Sequence, residues 1–140
     1  MRPILVALDG SEPSQRGLRV AVELSRATGA ALLLTHVVPP VTLPVPVSPE
    51  IAERLEAGEN AHAQMVVNSS LSEASSLGVH AEGLVLRGGP AEALADAAET
   101  RDCSMVVIGS RGRGGVVRVL LGSVADRLVH ISKRPVLVVK

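Results

Sequence analysis

Five short apolar runs punctuate this chain, and segments with helical periodicity fill the intervals between them. The runs are PILVAL at 3–8, AALLLTHVV at 30–38, Val79 to Leu86, MVVI at 105–108 and PVLVV at 135–139. Continuous runs of this length suit strands covered on both faces, the third being the least apolar. Between the first two, Leu18, Ala21, Val22 and Ser25 recur at helical spacing, with Ser11 as the N-cap and Gly29 as the stop. A long helix is expected from Glu50 to Leu77, with Gly58 and the cluster Asn68, Ser69, Ser70 as points where it bends or breaks. Pro90 at a first helical position, then Ala91, Leu94, Ala95 and Ala98, marks a third helix, and Val124, Leu128 and Ile131 mark a fourth.

Strands alternating with helices require right-handed crossovers, so the pattern predicts a doubly wound α/β fold, a five-stranded parallel sheet with helices on both faces. One domain over residues 1–140 is expected from the length. Ligands of such sheets bind beyond the carboxyl ends of the strands, which places Asp9, Val37, Val38 and Gly109 along one rim. Residues 39–49, PPVTLPVPVSP, carry five of the nine prolines and read as a stiff extended loop.

Composition narrows the function classes. Formal net charge is zero, so no global field draws in nucleic acid or an anionic membrane surface. Phe, Tyr and Trp are all absent, which removes the stacking platforms of single-strand binders and requires any bound base to lie between aliphatic side chains. Cys103 is the single cysteine, and its place just before a buried strand points to packing rather than catalysis. No apolar stretch is long enough for a membrane span, and the N-terminal run meets Asp9 too early for a signal peptide, so a cytoplasmic protein is expected. His36, His62, His80 and His130 have no metal-ligand spacing with one another or with Cys103.

The most informative stretch is GSRGRGGVVRVLLGSVADRL, residues 109–128, which leads from the fourth strand to the fourth helix. A helix start offers unpaired amide protons at the positive end of a dipole, and glycines let amides converge on phosphate oxygens. Arg111, Arg113 and Arg118 supply positive charge for a polyphosphate. The bland reading is a surface loop in which Ser123 only caps the helix. Gly115 stands where a Walker lysine belongs, and Val117 where a third dinucleotide-fingerprint glycine belongs, so neither of those motifs is present. Asp9, followed by Gly10 and Ser11, can meet a ligand hydroxyl, a base amine or a phosphate-bound magnesium ion, or else serve a helix start. Finally, PVLVVK reads as an open sheet edge, which predicts homodimerisation through the last strand unless the proline-rich loop covers it.

These residues carry a family resemblance. The spacing glycine, two residues, glycine, nine residues, glycine, serine is met by Gly109, Gly112, Gly122 and Ser123, and with the opening ILVALDGSEPS and the closing PVLVV the chain resembles the universal stress protein family. The resemblance implies the strand order 3-2-1-4-5, a dimer paired through the last strands, and membership of the ATP-binding subset. It implies Asp9 and Gly10 near the nucleoside and Val37 or Val38 giving main-chain contacts to adenine. Gly109, Gly112, Gly122, Ser123 and Val124 would then meet the phosphates, with Arg111 in reach. The expected function is a stress-response regulatory module that binds ATP with magnesium and needs no catalytic base. The alternatives are a slow ATP hydrolase or phosphotransferase using Asp9 and magnesium, and an interaction protein presenting the proline-rich loop.

Overall fold

The computed structural model describes residues 1–111 and 121–140. It alternates strand and helix throughout: β1 (Ile4–Ala7), α1 (Glu12–Thr28), β2 (Leu32–Val38), α2 (Pro49–Ser76), β3 (Ala81–Arg87), α3 (Pro90–Thr100), β4 (Met105–Gly109), α4 (Ser123–Ile131) and β5 (Val136–Val139). The strands form one parallel sheet in the order β3-β2-β1-β4-β5, as the resemblance implies.

Alternation along the buried strands divides the core into two layers. Ile4, Val6, Leu32 and Leu34 face Leu18, Ala21 and Val22 of α1 and Ala74 of α2. On the other face, Leu5, Ala7 and Leu33 meet Leu94 and Ala98 of α3 and Leu128 of α4. A period of two in the strands thus serves two helix layers at once, which is why β1 reads as an unbroken apolar run.

Local signals act where expected at α1. The Ser11 side chain accepts the Ser14 N–H at 3.3 Å, and Gly29 closes the helix in the left-handed region at φ 79. The long helix α2, in contrast, runs unbroken past Gly58 and the Asn68, Ser69, Ser70 cluster. Ser70 returns its hydroxyl to the Val66 carbonyl at 2.9 Å, and Gln64 donates to Asn68 at 3.2 Å, so polar groups that compete with the helix are absorbed within it. Burial of Ala63, Val67, Ser70 and Ala74 against the sheet outweighs the weak local propensity. The proline-rich loop lies on the β3 side, where it shares a hollow with α2 and Arg87, at the opposite edge of the sheet from β5.

Gly109 is required by packing. A Cβ there would stand 2.7 Å from the Pro13 carbonyl carbon and 2.8 Å from the Ser14 nitrogen, both main-chain atoms at the start of α1. Gly109→Ala is therefore expected to lose about 1–3 kcal/mol of stability through overpacking. Leu34→Ala, at a fully buried site, is expected to lose about 2–5 kcal/mol. Urea unfolding followed by circular dichroism measures both, and a Gly109→Ala protein as stable as the parent contradicts the close approach.

Candidate functional site

The strands end at different heights, and this builds a cleft. Pairing of β1 with β2 stops at Ala7 opposite Thr35, whereas β2 continues beside β3 as far as Val38 opposite Arg87. Leu8 donates its N–H to the Thr35 carbonyl at 2.8 Å, so Thr35 directs its main-chain groups toward β1. Val37, two residues further, directs its N–H and C=O to the same side, beyond the end of β1. A continued ladder would give the Leu8 carbonyl to the Val37 N–H. That carbonyl instead accepts from Nδ1 of the buried His36 at 2.7 Å, which also fixes the tautomer with its proton on Nδ1.

Past Leu8 the chain turns sharply into α1. One carboxylate oxygen of Asp9 accepts the Ser11 N–H at 2.8 Å, and Gly10 sits at φ 84. Asp9 thus shapes the turn before the helix while the cap itself is Ser11.

Helix starts close the other side. The α1 and α2 termini are each capped by a serine hydroxyl, from Ser11 and Ser48. At α3 and α4 the N-caps are Gly89 and Gly122, with no side-chain cap bond. Ser123 is therefore the first residue of α4 rather than its cap. The first residues of both helices that begin without a side-chain cap, Pro90 and Ser123–Ala125, line the cleft, as does Ser14 in the first turn of the capped α1. At α4 such a start leaves amide protons for an anion, whereas at α3 Pro90 has no N–H and the Glu92 carboxylate accepts a main-chain hydrogen bond at its own position. Arg127 of α4 and Glu92 of α3 tie these two starts together at 2.6 Å. The Arg127 hydrogen bond holds the Glu92 carboxyl below the usual carboxylate range, so the tie is present above that range and is lost as pH falls through the lowered value.

The resulting cleft has a volume of about 390 Å³. It gathers Asp9, Val37, Gly109, Arg111, Gly122, Ser123 and Val124 from the sequence-based set. Gly10 and Val38 are not part of its wall: Gly10 lies at the exposed turn, with Val66 as the neighbour of a Cβ built on it, and Val38 faces the second hollow, toward Leu43 and Leu55. Gly112 lies outside the described residues, as do Arg113 and Arg118. Sequence reasoning missed Thr35, His36, Pro39, Pro90 and Leu94 as wall residues. Pro90 was legible as a helix start, but only the sheet order shows that this start faces the end of β4.

Aliphatic side chains, Val37, Leu94 and Ile108 among them, line the cleft, and Asp9 is its carboxylate. No group of three or more His, Cys, Asp or Glu able to hold a metal exists among the described residues. Cys103 is fully buried, and burial pushes its thiol above the ordinary range, which suits packing. Among the described residues no helix is long and apolar enough to cross a membrane.

Comparison with known proteins places this geometry. A universal stress protein of Mycolicibacterium smegmatis is 38% identical over 142 residues, covering 97% of this chain and 47% of that protein, so the chain spans about half of that relative. In fold, the chain is similar to the universal stress protein UspA from Lactobacillus plantarum, with TM-score 0.89 at 23% identity, covering 99% of this chain and 97% of that one. The Archaeoglobus fulgidus universal stress protein, solved in complex with dAMP, has TM-score 0.75 at 26% identity, covering 100% and 98% of the two chains. The model of the universal stress protein family matches residues 1–140 from end to end, and the chain belongs to that family.

Proposed function

We propose that this chain binds an adenine nucleotide, ATP carried with magnesium, in the cleft at the carboxyl rim and acts as a regulatory module. The observation that carries the reading is the pairing of two main-chain surfaces across one aliphatic cavity. Val37 offers an N–H and a C=O beyond the end of β1, which complement the donor and acceptor edge of adenine. Opposite, the glycine-capped start of α4 offers amides to phosphate oxygens. Between them the base lies against Val37, Leu94 and Ile108, in keeping with a chain that has no aromatic residue. The Archaeoglobus relative, which shares the family, was solved with dAMP, an adenine nucleotide.

Within this reading each residue has a task. Ser123, Val124 and Gly122 receive phosphate at the start of α4, Gly109 keeps the end of β4 low enough for the phosphates to pass, and Arg111 neutralises charge. Gly112 belongs to the same phosphate set. Gly10 and Val38 act one step removed, shaping the turn and the strand end behind the wall. Asp9 meets the ribose or a magnesium ion carried by the phosphates. The residues present fit such an ion only as a companion of the nucleotide, since Asp9 is the single carboxylate of the wall among the described residues. About four charge-assisted hydrogen bonds at ~1.5 kcal/mol each give roughly 6 kcal/mol, a dissociation constant on the order of tens of micromolar.

Calorimetry tests this directly. The native protein is expected to bind ATP with magnesium, and Gly122→Val combined with Ser123→Ala to bind at least about 10-fold more weakly with its fold retained. Equal affinity of the two proteins removes the α4 start from the site. Phosphate release over hours is expected to stay at background; release that Asp9→Asn abolishes establishes the hydrolase instead.

Homodimerisation through β5 belongs to the same proposal. Ser110 donates to the Val139 carbonyl at 2.7 Å and Val106 to that of Pro135 at 2.8 Å, so odd-numbered residues face β4 and Val136 and Val138 face outward. Val138→Pro removes an outward N–H while leaving the ladder to β4 intact. Sedimentation velocity is expected to show a dimer for the native chain and a monomer for Val138→Pro, with unchanged circular dichroism. A native monomer, or a dimer indifferent to the substitution, refutes pairing at this edge.

A further inference from the structure

Ser14, Ser25, Thr35 and Ser70, all buried, return their hydroxyls to carbonyls no more than five residues away in the chain. The buried His36 behaves differently: its ring crosses from β2 to the Leu8 carbonyl just past β1, 28 positions away. Packing alone does not select a histidine at such a site, since an aliphatic side chain fills it with no polar group to satisfy. From α2 the ring of His62 meets that of His36 edge to face, with centroids 5.6 Å apart and planes at 80°, so the ring that directs Nδ1 to Leu8 is restrained from a second element.

The bond falls where the parallel ladder would take its next step. Thr35 gives its carbonyl to the Leu8 N–H at 2.8 Å, and the step that follows would join the Val37 N–H to the Leu8 carbonyl. Neither main-chain group of Val37 has a hydrogen-bond partner among the described residues. Pro39, the next residue of the same parity, has no N–H, so Val37 holds the last main-chain donor that this end of β2 turns toward β1. Leu8, His36 and Val37 all line the cleft. A free donor beside a free acceptor pairs with it, so a Val37 N–H that stays available calls for another donor on that carbonyl.

We propose that His36 is a positioning residue for the base: by holding the Leu8 carbonyl, its Nδ1–H keeps the Val37 N–H open to a ring nitrogen of adenine. This rests on the nucleotide reading above and adds the residue that makes its base contact available. His36 needs no contact with the ligand and acts through Leu8 and Val37. With an aliphatic residue at position 36 the Leu8 carbonyl is released, β1 and β2 zip together by one step, and the base loses its donor. The phosphate end, at the start of α4, is untouched by that change. Asparagine keeps the arrangement in part, because its side-chain amide nitrogen stands as many bonds from Cα as Nδ1 of histidine and also donates.

Amide hydrogen exchange followed by NMR on the ligand-free full chain reads the ladder. Calorimetry with ATP and magnesium, and with inorganic tripolyphosphate, reads the two ends of the site. The native Val37 amide is expected to exchange at least about 10-fold faster than the ladder amide of Thr35. In His36→Leu, Val37 exchange is expected to slow at least about 10-fold and ATP to bind at least about 10-fold more weakly, the effect of losing one hydrogen bond, with tripolyphosphate affinity unchanged. His36→Asn is expected to keep the Val37 amide fast and to bind ATP at least about 5-fold more tightly than His36→Leu. A slow Val37 amide in the native chain overturns the proposal without any variant. Native ATP affinity in His36→Leu overturns it, as does lost affinity with the Val37 amide still fast, which makes the ring itself the ligand contact. A parallel loss of tripolyphosphate affinity, or equal ATP affinities of the leucine and asparagine variants, reduces His36 to a packing residue and overturns it too. Circular dichroism verifies the folds; with an unfolded His36→Leu, the native and His36→Asn chains decide, a slow Val37 amide in either being the refuting result. A native protein that binds no ATP refutes the nucleotide reading instead, and the Val37 rates still report whether His36 holds the ladder open.

Discussion

The early end of β1 governs everything at the rim. Its ladder with β2 stops at Ala7 opposite Thr35, and the chain then leaves the sheet plane through Asp9 and Gly10 while β2 runs on to Val38. A parallel strand that outlasts its neighbour must present main-chain donors and acceptors on the vacated side, because each residue sends both groups the same way. Val37 is in that position. There the Leu8 carbonyl accepts from the His36 ring rather than from the Val37 N–H. The cleft is thus the geometric remainder of an interrupted hydrogen-bond pattern, in which main-chain groups join polar side chains such as Asp9, Arg111 and Ser123 in a largely aliphatic frame.

Helix capping completes the same logic from the other side. At α1 and α2 a serine hydroxyl takes a first-turn amide. At α3 and α4 a glycine stands in the cap position and supplies no side-chain acceptor, and at α4 this leaves first-turn amides beside the cleft. The Glu92–Arg127 contact joins the starts of these two helices. Being solvent-exposed, that pair contributes little to stability by itself, and its value lies in orientation. Gly109 shows that one residue can answer two demands: the α1 main chain excludes a Cβ there, and the same bare strand end borders the cleft. Pro39 has a comparable double position, in the walls of both the cleft and the groove beside α2.

Much of this was legible beforehand. Every strand falls within a residue or two of its apolar run; burial on both faces explains this for β1, β2 and β4, while β3, with exposed Glu82 and Arg87, and the half-buried β5 keep the apolar run at the sheet edges. Ser11 and Gly29 were readable as α1 boundaries because caps are local chemistry. The cleft residues Asp9, Val37 and Gly109 were readable from the rule that ligands sit beyond carboxyl ends, Gly122 and Ser123 from the helix start that follows the glycine-rich stretch, and Val124 only from the family resemblance. Other features were not legible. The continuity of α2 through Gly58 and Ser70 depends on burial of Ala63, Val67 and Ala74 by the sheet, a long-range effect absent from local propensity. The separation of Val38 from Val37 depends on strand parity and on which neighbour ends first. Pro90 and His36 carry no signal of their own; one is a helix starter and the other a lone histidine until the sheet order sets them beside β1 and β4.

What the sequence determined by itself was the class of fold, the alternation of elements, the local caps and the glycine pattern leading into α4. Each of these is written in short-range periodicity and backbone preference, which act within a few residues. Only the tertiary structure decided which amides remain unpaired, which helix ends are open, and which half of α2 stays bare. Those properties arise from unequal strand lengths and from close approaches such as that of Pro13 to Gly109, between residues far apart in the chain. Hydrogen-bond satisfaction is a property of neighbours in space, and a single sequence names neighbours only along the chain.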